Sequence, residues 1–236
     1  AIHAFIERVK AANGTAHLMG VISDGGVHGH IDHVIAAAEM VASAGVPVVI
    51  HAVTDGRDVA PKSADGFLET LVSKLPEGAT VGTVTGRYFA MDRDNRWERV
   101  EQAYRVMVGG TAEHKAANAV EAVKAAYARG ETDEFIQATL VGDYAGAKDG
   151  DGFFCLNFRA DRAREILLAV GEDDFDGFEG RNRPHWASIL GMVDYSKTHD
   201  TFMAAAYPKK VVRNTLGAWV AAKGLTQFRL AETEKY

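Results

Sequence analysis

Cysteine is nearly absent: Cys155 is the only one in 236 residues, leaving no pair to cross-link. It lies in an apolar run and reads as a buried thiol in a reducing compartment, so a cytoplasmic setting is expected. An excess of cations is missing too, with a formal net charge of −6. That balance argues against a nucleic-acid or anionic-membrane partner and makes any cationic site a local one. There is no run of eighteen apolar residues and no basic-then-apolar leader, so neither a membrane span nor a signal peptide is expected. The motifs GxGxxG, GxxxxGK[ST] and GxSxG do not occur, which leaves dinucleotide, P-loop and hydrolase-elbow readings without support. No repeat, low-complexity segment or linker-like shift in composition divides the chain, and one domain over residues 1–236 is expected. The chain opens on Ala1 rather than Met, and the expectation is an excised or processed piece.

What is present is alternation of helical and strand-like patterns. Helices are expected over Ile2–Ala12, Ile31–Ala44, Ser63–Leu75, the stretch after Arg93, Ala117–Ala128, the stretch through Ile166, Leu167 and Val170, and Asn214–Lys223. Strands are expected over His17–Ile22, Val46–Val53, Thr80–Val84, Phe135–Val141, Phe153–Phe158, Ala187–Val193 and Gln227–Leu230, with Asp173–Pro184 as a loop. VPVVIHAV, at Val46–Val53, is apolar enough to be covered on both faces, as parallel strands are. The fold class that follows is α/β, a doubly wound, mostly parallel sheet with helices on both faces.

Five of the expected strands end in polar clusters: SDGGVH, TDGRD, TGRYFAMDRD, NFRADR and ETEK. In a parallel sheet such ends lie along one edge, where ligands bind. The candidate residues collected there are His28, Arg57, Asp58, Arg87, Arg93, Arg159, Arg162 and Lys235. Arginine suits bidentate recognition of carboxylate and phosphate. This many cations imply a small ligand with several negative charges, such as a phosphorylated acid, with Asp58 or His28 handling a hydroxyl proton. Plainer roles fit the remaining residues. His28, His30 and His33 lack a zinc-like spacing; His30 reads as a helix N-terminal residue, His33 as a surface residue and His51 as a core histidine. Asp55 reads as a turn former before Gly56, and Asp92, Asp94 and Asp161 as partners of arginines or helix caps.

SDGGVHGH, TDGRD, TGRYFAMDRDNRWERV, NFRADRA and the terminal AETEKY occur in this order and approximate spacing in the cofactor-independent phosphoglycerate mutases, which the chain resembles from about His17 to Tyr236. The resemblance implies one part of a two-domain enzyme: an inserted phosphotransferase domain that binds the glycerate. Its partner would be a phosphatase-like domain with two manganese ions and a transiently phosphorylated serine, absent from this chain. It implies that His28, Arg57 and Asp58 contact the substrate, with Asp58 as the acid/base for its hydroxyls. Arg87, Arg93, Arg159 and Arg162 would bind carboxylate and phosphate, and Lys235 would lie by the phosphoserine. The implied ligands are 3-phosphoglycerate and 2-phosphoglycerate, with no cofactor held by this chain. Gly29 stands where the family usually has serine, and Ala160 where it often has proline. The alternative from another class is a non-catalytic module that binds a phosphorylated ligand.

Overall fold

A computed structural model describes residues 1–210 and 212–230. Helix α1 (Ile2–Ala11) and strand β1 (Ala16–Val21) are followed by α2 (Ile31–Ser43), β2 (Val48–Thr54), α3 (Ala64–Lys74) and β3 (Ala79–Gly86). A single helical turn, α4 (Arg87–Ala90), precedes α5 (Trp97–Met107), β4 (His114–Ala116), α6 (Ala119–Ala128) and β5 (Thr139–Val141). Then come β6 (Gly152–Cys155), α7 (Arg164–Gly171), β7 (Ser188–Gly191), β8 (Ala204–Ala205) and α8 (Leu216–Ala222).

The eight strands form one sheet in the order β4-β5-β3-β2-β1-β6-β7-β8. All described pairings are parallel except β3 with β5. From β1 the chain steps one way through β2 and β3, and it later returns to the other side of β1 with β6 and β7. Right-handed crossovers then require the connecting helices to change face when the direction changes. They do: α2 and α3 pack with α1 and α6 on one face, whereas α5 and α7 pack on the other. The boundary between β1 and β6 is therefore a topological switch point, the place where open α/β sheets bind their ligands.

Side-chain spacing explains each layer. In α5, Val100, Ala103, Tyr104 and Met107 recur at three- and four-residue steps and are buried on one face. In α3, Leu68 and Leu71 are wholly buried, each contributing about 2 kcal/mol relative to exposure. β2 is buried along nearly its whole length, as its β-branched run predicts. Caps set the helix starts. His30 Nδ1 accepts the Asp32 N–H at 3.2 Å to open α2, and Asn118 accepts the Glu121 N–H at 2.9 Å, which moves the start of α6 past the expected Ala117.

Several expectations are corrected. Phe135–Val141 is not one strand: Asp133–Phe135 is a 3₁₀ turn, and only Thr139–Val141 pairs, antiparallel to β3. Gln227–Leu230 forms no strand, because its residues are exposed with no neighbouring edge to join. The short strands β4 and β8 were not anticipated; neither carries a run of β-formers, and each is supported by one neighbour. Among the described residues from Tyr207 to Leu230, α8 buries none of its side chains, and Leu216, Trp219, Leu225, Phe228 and Leu230 are all exposed.

A row of polar side chains crosses the middle of the sheet. Asp151 Oδ2 lies 3.0 Å from His17 Nε2, His17 Nδ1 lies 2.9 Å from His51 Nε2, and His51 Nδ1 lies 2.9 Å from Thr83 Oγ1. One arrangement of neutral rings satisfies every link: Thr83 donates to His51, His51 to His17 and His17 to Asp151. Burial, followed by the neighbouring His17, holds the His51 imidazole well below its ordinary value, in keeping with an uncharged ring. Here His51 is the core histidine that was expected.

Candidate active site

The carboxyl ends of β1, β2, β3 and β6 lead into the loops that carry the candidate residues. These loops lie close together. At Gly25 an added Cβ would come 3.2 Å from Asp58 Cβ and 3.3 Å from Asp58 O, so the β1 loop lies closely against the β2 loop. At Gly86 an added Cβ would come 2.4 Å from Glu134 O and 2.6 Å from Ile136 N, and the end of β3 is pressed against the segment before β5.

Arg87 lies at the centre. It is 3% exposed, and its Nη1 donates to Asp55 Oδ1 and to Asp58 Oδ2, both at 2.6 Å. Asp55 is buried as well and accepts from Ser23 Oγ at 2.6 Å and from the N–H groups of Arg57 and Asp58. Burial alone would push its carboxyl up, but Ser23, the Asp58 amide and Arg87 together hold it below the ordinary range. The turn former of the sequence reading is therefore also a buried ion-pair partner. Asp58 is more open, with its side chain 19% exposed.

A second centre is Asp161. Its Oδ2 takes Arg93 Nη1 at 3.1 Å and its Oδ1 takes Arg159 Nε at 3.1 Å, with His28 Nδ1 3.8 Å from the same Oδ1. Arg93 and Arg159 are roughly half exposed. His28 is buried, and its Nδ1 has no hydrogen-bond partner among the described residues. Burial first, and then Arg87, lowers its imidazole to about 4, so the ring is neutral near pH 7 and acts there through hydrogen bonds. Arg162 donates from Nη1 to Met91 O at 3.2 Å. Its guanidinium is pulled below its ordinary value by burial and by Arg93, Arg87 and Arg57 around it. Arg57 is the most exposed of the set, with Nη1 3.4 Å from Glu134 Oε1.

Seven of the eight candidates, His28, Arg57, Asp58, Arg87, Arg93, Arg159 and Arg162, thus meet at one edge. Lys235 lies outside the described residues. Asp161 pairs with arginines, as expected of it, and Asp92 pairs with Arg99 at 3.0 Å. Sequence reasoning missed Glu165, which is buried under the arginine loop. Its only signal was a carboxyl on the inward side of an otherwise apolar helix. At Gly29 an added Cβ would lie 2.8 Å from Asn157 Oδ1, so a serine there would have to push the Asn157 amide aside. Among the described residues no group of three or more His, Cys, Asp or Glu side chains is placed to hold a metal ion, so the manganese of the resemblance has no ligand set in these residues.

The sequence model of the family described as "BPG-independent PGAM N-terminus (iPGM_N)" matches residues 1–197. The 2,3-bisphosphoglycerate-independent phosphoglycerate mutase of Paracoccus denitrificans is 69% identical over the whole chain, which covers 46% of that protein. The mutase of the same name from Cereibacter sphaeroides (strain ATCC 17029 / ATH 2.4.9) is 67% identical, again with 46% covered. The chain spans about half the length of the curated relatives it matches. Among solved structures, Leishmania mexicana phosphoglycerate mutase at low cobalt concentration superposes with a TM-score of 0.80 at 28% identity, over 92% of this chain and 43% of that one.

Proposed function

The chain belongs to the family of BPG-independent phosphoglycerate mutase N-termini, and from that premise we propose that it is the glycerate-binding part of a mutase interconverting 3-phosphoglycerate and 2-phosphoglycerate. The observation that carries this reading is the convergence of five arginines with Asp58 and His28 at the β1/β6 switch point. A phosphoglycerate brings about −1.5 to −2 charges on phosphate and one more on carboxylate. A chain of net charge −6 gathers cations in this way only for a local purpose.

The roles follow from exposure and pairing. Arg93, Arg159 and Arg57, each roughly half exposed, reach the ligand's anionic groups, and Arg162 backs them from a less open position. Arg87 is committed to Asp55 and Asp58, so it orders the Asp58 carboxylate and adds its charge to the pocket. Asp58 accepts and returns a glycerate hydroxyl proton, and neutral His28 hydrogen-bonds the same hydroxyls. Phosphoryl transfer asks mainly for positioning and charge stabilisation, which this edge supplies. The transferring serine and the manganese ions would reside in a phosphatase-like second domain of the full-length protein. On this reading the chain alone binds substrate weakly and does not turn it over, and the full-length protein works in cytoplasmic glycolysis and gluconeogenesis. The exposed apolar residues from Tyr207 onward fit a surface turned toward that second domain.

Calorimetric titration with 3-phosphoglycerate tests the reading. Binding should weaken by about tenfold or more in Arg159→Ala, the loss of one charge-assisted contact. Equal binding by the variant, or mutase turnover by the highly purified chain, would overturn the proposal.

A further inference from the structure

Beneath the arginine loop lies a pair of buried carboxyls that none of the roles above uses. Asp92 is 3% exposed and Glu165, in the first turn of α7, is 6% exposed. Asp92 Oδ2 accepts the N–H groups of Asp94 and Arg96, both at 2.9 Å, and its Oδ1 accepts Arg99 Nη1 at 3.0 Å. Glu165 Oε1 accepts the Asn95 N–H at 3.0 Å. The backbone donors of three consecutive residues after Arg93 thus all end on these two side chains. Glu165 Oε2 is buried with no hydrogen-bond partner among the described residues. Because Glu165 holds the amide between the two that Asp92 holds, the two carboxyls stand side by side under one turn.

Two touching carboxylates away from water do not both ionise, and one shared proton resolves the contact. The surroundings decide which carboxyl keeps it. Asp92 has two amides and a guanidinium and stays ionised; Glu165 has a single amide.

We propose that Glu165 is a positioning residue: its protonated Oε2 donates to ionised Asp92, and this acid–carboxylate clamp holds residues 92–96, with Arg93 among them, against the start of the helix that follows Arg162. Only the consequence for ligand affinity rests on the glycerate reading. The clamp itself does not. The charged groups facing it are Asp92 and Asp94 from the loop and Arg99 from α5. Burial, and then Asp92 and Asp94 acting against the Asn95 amide, push the Glu165 carboxyl up to about 7. Because the folded value exceeds the unfolded one, the clamp is complete in mild acid and is lost as pH rises through the folded value. Above it, two negative charges repel and the Arg93 loop loosens.

The test is an NMR titration of the isotope-labelled, unliganded chain from about pH 5 to about pH 9, a range that lies above the ordinary carboxyl values. It follows Glu165 Cδ and the amides of Asp94, Asn95 and Arg96. Glu165 Cδ should titrate near 7, with the Asn95 amide moving in step. Glu165→Gln keeps an NH₂ donor toward Asp92 and a carbonyl acceptor for Asn95, so the neutral-range step in the loop amides should vanish while the fold persists. In calorimetry, affinity for 3-phosphoglycerate should fall above pH 7 more steeply in the wild type than in the variant. Glu165 titrating wholly below pH 5, an Asn95 amide that stays still while Glu165 titrates, or the same amide profile in the variant would each overturn the clamp. Failure to bind 3-phosphoglycerate would overturn the glycerate reading and leave the clamp standing on the amide data.

Discussion

Replacing Arg87 by Met separates a structural arginine from a ligand-binding one. The guanidinium is 3% exposed and is held by Asp55 and Asp58 at 2.6 Å each. Removing one partner of a buried ion pair costs about 3–5 kcal/mol, because the other is left uncompensated. Here the lower end applies. Asp55 retains Ser23 Oγ and the N–H groups of Arg57 and Asp58, and Asp58 can turn toward water. A loss of about 3 kcal/mol follows for Arg87→Met. Asp55→Ala should cost more, about 5 kcal/mol, since it deprives Arg87 and three other donors at once. At roughly 2–4 °C per kcal/mol for a chain of this size, Arg87→Met should melt about 6–12 °C lower. Urea unfolding of the two single variants and the double variant is the assay, and the double should cost less than the sum of the singles. If Arg87→Met loses under about 1 kcal/mol, a typical single hydrogen bond, the carboxylates do not hold it, and its charge belongs to the ligand instead.

Gly86→Ala should destabilise by about 2–3 kcal/mol, the cost of overpacking against atoms that do not yield. Its Cβ would meet the backbone at Glu134 and Ile136, and thermal melts should show the loss. Asp151→Asn tests the histidine row through pH. Burial alone would raise the Asp151 carboxyl, but His17 and the Thr15 and Lys148 amides carry it below the ordinary carboxylate range. Its contribution is therefore present above the unfolded value and is lost as pH falls through the folded one. The variant should be less stable by about 1–3 kcal/mol at neutral pH, with the difference shrinking in acid. A constant difference down to acid unfolding would argue against the ionised Asp151.

Much of the fold was legible because the apolar runs of β1, β2, β3 and β6 and the three- and four-residue spacing of α5 are local signals. Four of the clusters, SDGGVH, TDGRD, TGRYFAMDRD and NFRADR, were legible for the same reason, and parallel topology brought them together, whereas ETEK lies outside the described residues. What escaped detection is held by distant partners. β4, with the sequence His-Lys-Ala, is a strand only because β5 lies beside it, and β5 runs antiparallel to β3 only through the path of the chain before it. Asp55 looks like a turn residue until Arg87, 32 positions later, is placed against it. Glu165 reads as an ordinary polar helix position until Asn95, 70 residues away, shows where it points.

The polar row from Asp151 to Thr83 has a bearing on how the sheet assembles. Between β2 and β3 the register skips at Ile50/His51, so that Thr83, and not Gly82, stands opposite His51. A slip of one residue in β1, β2 or β3 would turn one member of the row to the opposite face and strand the others without partners in the interior. No single pairing completes the chain of donors; it closes only when all three strands and the start of β6 stand in their final alignment. The row works as a checksum on strand order, and it ties the commitment of the central strands into one cooperative step rather than a succession of independent zippers.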